Sequence, residues 1–151
     1  MKRNIKRTNF VGLAVLLAYV IFISWRLFFY AYSNNYRGQT TDISYNIILF
    51  KTISNYIQNI NYIGFDVLLY NLVGNVAAFM PLGFLLPLAF RRFNAVKTYL
   101  VAFTLILFAE VLQLVSRRGV FDVDDLVLNM LGSIIGYGIY KLLCILFKGG
   151  R

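Results

Sequence analysis

The sequence predicts an all-α, polytopic membrane protein: a four-transmembrane-helix bundle with an amphipathic helix on its extracellular surface. Three observations predict it. The 151 residues are 60% hydrophobic and 14% charged, where soluble domains carry about 25% charged residues, and the mean hydropathy is +0.69. Four apolar stretches are long enough to cross a bilayer core of about 30 Å, which takes roughly 20 helical residues. The basic residues flank those stretches instead of forming a solvated stripe. That placement sets nucleic acid aside as a partner despite a net charge of +9.

The spans fall at residues 10–32, 66–90, 97–116 and 125–147, the surface helix at 47–60 and an outer loop at 117–124, all within one membrane domain, 1–151. The first span begins after Lys2, Arg3, Lys6 and Arg7 and ends in Trp25, Arg26, Tyr30 and Tyr32, aromatic rings suited to the membrane interface. Arg26 is expected to snorkel outward on its aliphatic stem. The basic start and the small residues near Ala31 and Ser33 imitate a signal peptide. The apolar run exceeds the usual 7–15 residues of a signal core, so an uncleaved anchor helix is expected.

In the segment 47–60, Ile47, Phe50, Ile53, Ile57 and Ile60 recur at helical spacing, and Lys51, Ser54, Asn55, Gln58 and Asn59 fall elsewhere. The segment is too short to span and is expected to lie on the outer surface as a lid or a brace. The second span holds both prolines, Pro81 and Pro87, which remove backbone donors and leave carbonyls for neighbouring helices to satisfy. Asn71 and Asn75 share one face of its outer half, with Gly74 beside them. A short turn at 91–94 makes the second and third spans antiparallel neighbours. The fourth span carries Asn129 and then Gly132 and Gly136, a small-residue spacing that allows close packing within the bundle or at a homo-oligomer seam.

The basic residues divide unevenly. Lys2, Arg3, Lys6, Arg7, Arg91, Arg92, Lys97, Lys141, Lys148 and Arg151 fall on one side, and Arg37, Lys51, Arg117 and Arg118 on the other. By the positive-inside rule both termini are expected to be cytoplasmic. All the acids, Asp42, Asp66, Glu110, Asp122, Asp124 and Asp125, lie on the second side or in its adjacent half of the membrane.

The chain has one cysteine, Cys144, and no histidine. It therefore holds no intrachain disulfide, no Ser-His-Asp triad and no His-ligated zinc. What remains is an amide and acid chemistry. Glu110 sits within an apolar span, where a charge costs a few kcal/mol or more and usually faces protein, water or a ligand. Gln113 and Arg117 share its helix face. Counting 1.5 Å per residue from the span ends puts Glu110 about 9 Å deep, Asn75 about 13 Å and Asn129 about 6 Å. All three are in the outer half; the inner half is nearly devoid of strongly polar side chains, an asymmetry unlike a transporter's polar path. Residues 117–125 hold Arg117, Arg118, Asp122, Asp124 and Asp125. One aspartate suffices to cap the fourth span, and Arg118 with Asp122 or Asp125 is a candidate ion pair ordering the loop. The expected site is thus a single cup open to the outside, with Asn71, Asn75, Glu110, Gln113, Arg117, Arg118, Asp122, Asp125 and Asn129 as ligand-binding residues.

Three motifs in order, Asn75-Val76-Ala77-Ala78-Phe79-Met80-Pro81-Leu82-Gly83, Glu110-Val111-Leu112-Gln113, and Asp122-Val123-Asp124-Asp125 followed by Asn129-Met130-Leu131-Gly132, resemble the VanZ-like membrane protein family. The resemblance covers roughly 46–137. The chain departs from the family at Leu49, where an Asn-x-x-Pro-Phe element often has proline. The resemblance implies a small multipass protein of the bacterial cytoplasmic membrane. It also implies a link to teicoplanin, a lipoglycopeptide acting on cell-wall precursors at the outer leaflet.

Three functions follow as alternatives. The protein binds or modifies an amphiphile among the membrane lipids, a lipid-linked cell-wall precursor or the lipoglycopeptide, with arginines on its anionic groups. Or it is an intramembrane hydrolase or transferase acting on a lipid head group, with Glu110 as general base and Asp122, Asp124 and Asp125 as weak candidates for holding Mg²⁺. Or it is a scaffold for another membrane protein. No resident cofactor is expected, and whether the chain is an enzyme stays open at this point.

Overall fold

The computed structural model describes residues 9–30, 45–116 and 119–148. The chain runs through α1 (Phe10–Trp25), a π-helical turn (Arg26–Tyr30), β1 (Tyr45–Asn46), α2 (Lys51–Gln58), α3 (Ile60–Ile63), α4 (Phe65–Ala89), α5 (Ala95–Val115), β2 (Phe121–Asp122) and α6 (Val123–Lys148). Four of these helices, starting at Phe10, Phe65, Ala95 and Val123, are long and apolar enough to cross a membrane. The all-α polytopic architecture is the one the hydropathy pattern predicts, and the protein is a multipass membrane protein.

Helix α4 is the hub. It runs antiparallel to α1, which packs so closely that a Cβ on Gly12 would meet the Leu88 carbonyl oxygen at 3.0 Å. At the other end of the contact, the Tyr19 hydroxyl donates to the Ala78 carbonyl at 2.8 Å. Helices α4 and α6 run parallel and touch backbone to backbone. Cβ atoms at Gly132 and Gly136 would collide with the carbonyl oxygens of Val76 and Met80, and one at Gly83 with that of Ser133. Small residues produce this approach because, in lipid, van der Waals packing rather than water exclusion drives helix association. The Gly132 and Gly136 stripe is therefore used within the chain. Two side chains, Tyr19 and Ser133, donate to the adjacent carbonyls of Ala78 and Phe79 in the turn before Pro81, where the helix has lost a donor.

Helix α5 buries one stripe: Thr98, Ala102, Ile106, Glu110 and Gln113. The spacing of four, four, four and three is a single helical face. It begins on the apolar core formed with Leu82, Leu86 and Ala89 and ends on two strongly polar residues. The bundle is accordingly apolar at the end carrying Arg91 and Arg92 and polar at the end carrying β2.

The surface segment differs from its expected form. In place of one helix over 47–60, residues 47–50 form a turn, helix begins at Lys51, and Asn59 interrupts it before α3. The cause is tertiary. Tyr45 and Asn46 pair in parallel with Phe121 and Asp122, which directs the chain across the start of α6. Phe50 must then reverse it in a left-handed conformation (φ 62°). At Asn59 the side chain bonds the Asn55 carbonyl (2.9 Å), a local competition with the helix ladder typical of asparagine. The outer loop is also shorter than expected, because α6 begins at Val123 and takes Asp124 and Asp125 into its first turn.

Candidate functional site

Two aspartates two residues apart cap two different helices. Asp122 Oδ1 accepts the backbone N–H of Asp124 at 2.9 Å, an N-cap for α6 of the ordinary kind. Asp124 is itself in the first turn of α6 but serves α2. Its carboxylate accepts the N–H groups of Phe50 (2.5 Å), Thr52 (2.9 Å) and Ile53 (3.2 Å). Phe50 offers α2 no side-chain cap, so a distant carboxylate takes that position, where the helix dipole favours an anion. Asp122 also accepts from Asn46 Nδ2 (3.1 Å) and from the Thr52 hydroxyl (2.5 Å). Asp122, at 6% exposure, and Asp124, at 1%, are buried and served by protein donors.

The next residue of α6, Asp125, turns to α4 and accepts from Asn75 Nδ2 at 2.5 Å. The three aspartates thus address different donors and do not converge. Among the described residues no group of three or more His, Cys, Asp or Glu is placed to hold a metal ion. The donors already on Asp122 and Asp124 account for the divergence, so these residues do not fit the Mg²⁺ site that the sequence offered as an alternative.

Glu110 points into the bundle. It is 5% exposed, and Asn129 Nδ2 donates to its Oε1 at 3.4 Å. Asn129 is also buried, and its Oδ1 finds no hydrogen-bond partner among the described residues. Gln113 lies on the same buried stripe and packs against Gly119, where a Cβ would meet the Gln113 Cβ at 3.1 Å. Arg117 and Arg118 lie outside the described residues.

The expected single cup is therefore two clusters linked by α6. One, Glu110 with Asn129, is interior between α5 and α6. The other opens as a shallow cleft between α2 and the starts of α4 and α6, lined by Thr52, Ile53, Tyr56, Asn71, Leu72, Val120, Asp122, Asp124, Asp125 and Leu128. Asn71 lines this cleft and donates from Nδ2 to its own helix at Val67 (2.7 Å). The asparagine pair of α4 does not face Glu110; Asn75 is taken by Asp125 instead. Thr52 and Tyr56, on the bundle-facing side of α2, are cleft residues that the sequence reading missed. Their signal was present: they are four residues apart on the face that carries Ile53 and Ile60.

The sequence model of the VanZ/LLP1 family matches residues 10–146. The chain belongs to the VanZ/LLP1 family. A curated relative, Protein VanZ of Enterococcus faecium, is 28% identical over 71 residues, 47% of this chain and 44% of that protein. The chain thus matches less than half the length of that relative. No solved structure matches. The motifs that carry the family resemblance now have physical content. The asparagine of the first sits on Asp125, and its terminal glycine admits the α6 backbone. The glutamate of the second meets the asparagine of the third. The first aspartates of the third cap α6 and α2. Asn46, first residue of the element that departs at Leu49, ties β1 to Asp122.

Proposed function

We propose that this VanZ/LLP1 family member lowers susceptibility to teicoplanin-type lipoglycopeptides by binding an amphiphile in the cleft between α2, α4 and α6. The ligand is either a lipid-linked cell-wall precursor or the antibiotic itself. The observation that carries the reading is the half-buried Asp125 carboxylate, held by Asn75 and opening on a cleft whose other walls combine Tyr56 and Asn71 with Ile53, Leu72 and Leu128. Thr52, Asp122 and Asp124 complete a polar lining flanked by these apolar side chains, which suits the polar head of an amphiphile whose apolar body lies in the membrane.

The charge distribution supports an extracellular cleft in the bacterial cytoplasmic membrane. Arg91, Arg92, Lys97 and Lys141 crowd the opposite end of the bundle, which the positive-inside rule assigns to the cytoplasm together with both termini. In this reading Arg117 and Arg118, at the same end as the cleft by sequence, meet the anionic groups of the ligand. Glu110 and Asn129 hold α5 against α6 behind it.

A deletion strain complemented with wild type, Asp125→Asn or Tyr56→Phe tests the proposal, with teicoplanin and vancomycin susceptibility measured side by side. Expected is a loss of protection against teicoplanin in the Asp125 variant at unchanged protein level, with vancomycin little affected. Full protection from both variants would refute the assignment of the cleft.

A further inference from the structure

We propose that residues 47–50 form a lipid-inserted loop. In it Ile47, Ile48, Leu49 and Phe50 enter the apolar part of the leaflet beside the start of α6, and Lys51 stands at the head-group level. This inference goes beyond the ligand proposed above and does not depend on it.

The four residues are consecutive, bulky and apolar, and they belong to none of the four spanning helices. They are 69%, 59%, 49% and 55% exposed. A contiguous apolar run of this kind on a non-spanning segment marks a contact with something other than water. It is distinct from the part of α2 used internally: Ile53 and Tyr56 line the cleft, while Ile57 is exposed on that helix beside Lys51, Asn55 and Gln58.

The depth of the loop decides its occupant. Both of its ends are tied to the start of a spanning helix, one to the strand that leads into it and one to its first turn. Tyr45 and Asn46 pair with Phe121 and Asp122, and Phe50, Thr52 and Ile53 are bound by Asp124. The loop therefore lies where α6 enters the membrane, and α6 itself exposes Val127, Leu131, Ile134 and Ile135 further along, the apolar residues a spanning helix turns to lipid. At that level the available apolar partner is acyl chain. Phe50 fits the same account. Its left-handed backbone would be cheapest for glycine or asparagine, yet the position carries an aromatic ring, 55% exposed. Lys51 follows at once and is exposed. Its flexible stem can carry the ammonium to head-group phosphates while its neighbours stay in hydrocarbon.

The test is site-directed spin labelling of the full chain in phosphatidylcholine–phosphatidylglycerol vesicles. Nitroxide is placed on Ile48→Cys and, separately, on Leu49→Cys, each in a Cys144→Ser background. Gln58→Cys gives the aqueous reference and Phe108→Cys, on an exposed position of α5, the lipid reference. The expected result is a ratio of oxygen to nickel-chelate accessibility at 48 and 49 close to that at 108 and severalfold above that at 58. A ratio like that at 58 would overturn the inference. So would low accessibility to both reagents, which would mean that protein, such as a second copy of the chain, covers the loop. Because the readout is membrane depth and not resistance, failure here leaves the proposal for the cleft standing.

Discussion

Asp124 and Thr52 are joined across 72 residues of sequence: the Asp124 carboxylate, on the first turn of α6, accepts the Thr52 backbone N–H at 2.9 Å. The same carboxylate binds the N–H groups of Phe50 and Ile53. One side chain thus fixes where the surface helix begins and how it lies over the cleft.

Asp124→Ala leaves those backbone donors without their acceptor. A buried unsatisfied donor costs about 1–3 kcal/mol, so the variant should melt at lower temperature in detergent and be cut faster by protease between residues 47 and 63. Asp124→Asn keeps one acceptor oxygen and should lose less. Equal loss in the two variants would show that the backbone cap is not what the carboxylate contributes.

The contact between α4 and α6 should distinguish glycines that look alike in sequence. Gly136→Ala and Gly83→Ala place a Cβ against a backbone carbonyl, whereas Gly138→Ala and Gly74→Ala meet nothing within 4 Å. Overpacking of this kind typically costs ~1–3 kcal/mol. Folded yield and detergent melting temperature should fall for the first two and stay at the wild-type level for the second two.

Asn46, Thr52 and Asp122 form one network. Thr52→Val and Asp122→Asn should therefore be less than additive, with a coupling of roughly 0.5–3 kcal/mol as found for residues in direct contact. Strict additivity in a double-mutant cycle of detergent unfolding would contradict the network.

Asn75 holds the Asp125 carboxylate at the edge of the cleft. In the complemented strain, Asn75→Ala should weaken teicoplanin protection, and adding Asp125→Asn should weaken it little further. Glu110→Gln keeps an oxygen that can accept from Asn129 and should cost less protection than Glu110→Leu. Measured protein levels separate these effects from loss of folding.

Much of the site was legible in the residues. The stripe ending in Glu110 and Gln113 follows from helical periodicity alone, and burial of that glutamate follows from the expense of a charge in hydrocarbon. The start of α2 was not legible. The pattern of isoleucines runs back to Ile47, so periodicity extends the helix by four residues that the structure gives to a loop. Nor could spacing tell that Asn75 would take Asp125 and leave Glu110 to Asn129, because all four stand in the outer half of the bundle and either carboxylate can accept from either amide.

From the sequence alone came the four spans, the uneven distribution of polar groups along the bundle, and the motifs of the VanZ/LLP1 family. These are properties of single segments: hydropathy over some twenty residues, charge at a segment's ends, repetition every three or four positions. Tertiary structure alone decided the parallel seating of α4 on α6 through Gly83, Gly132 and Gly136, the division of the polar residues into two clusters, and the cap that Asp124 places on α2. Each of these depends on a donor and an acceptor, or a glycine and a carbonyl, from distant parts of the chain. Such pairs exist only once the helices have packed, since any one residue's chemistry permits several partners and geometry selects one.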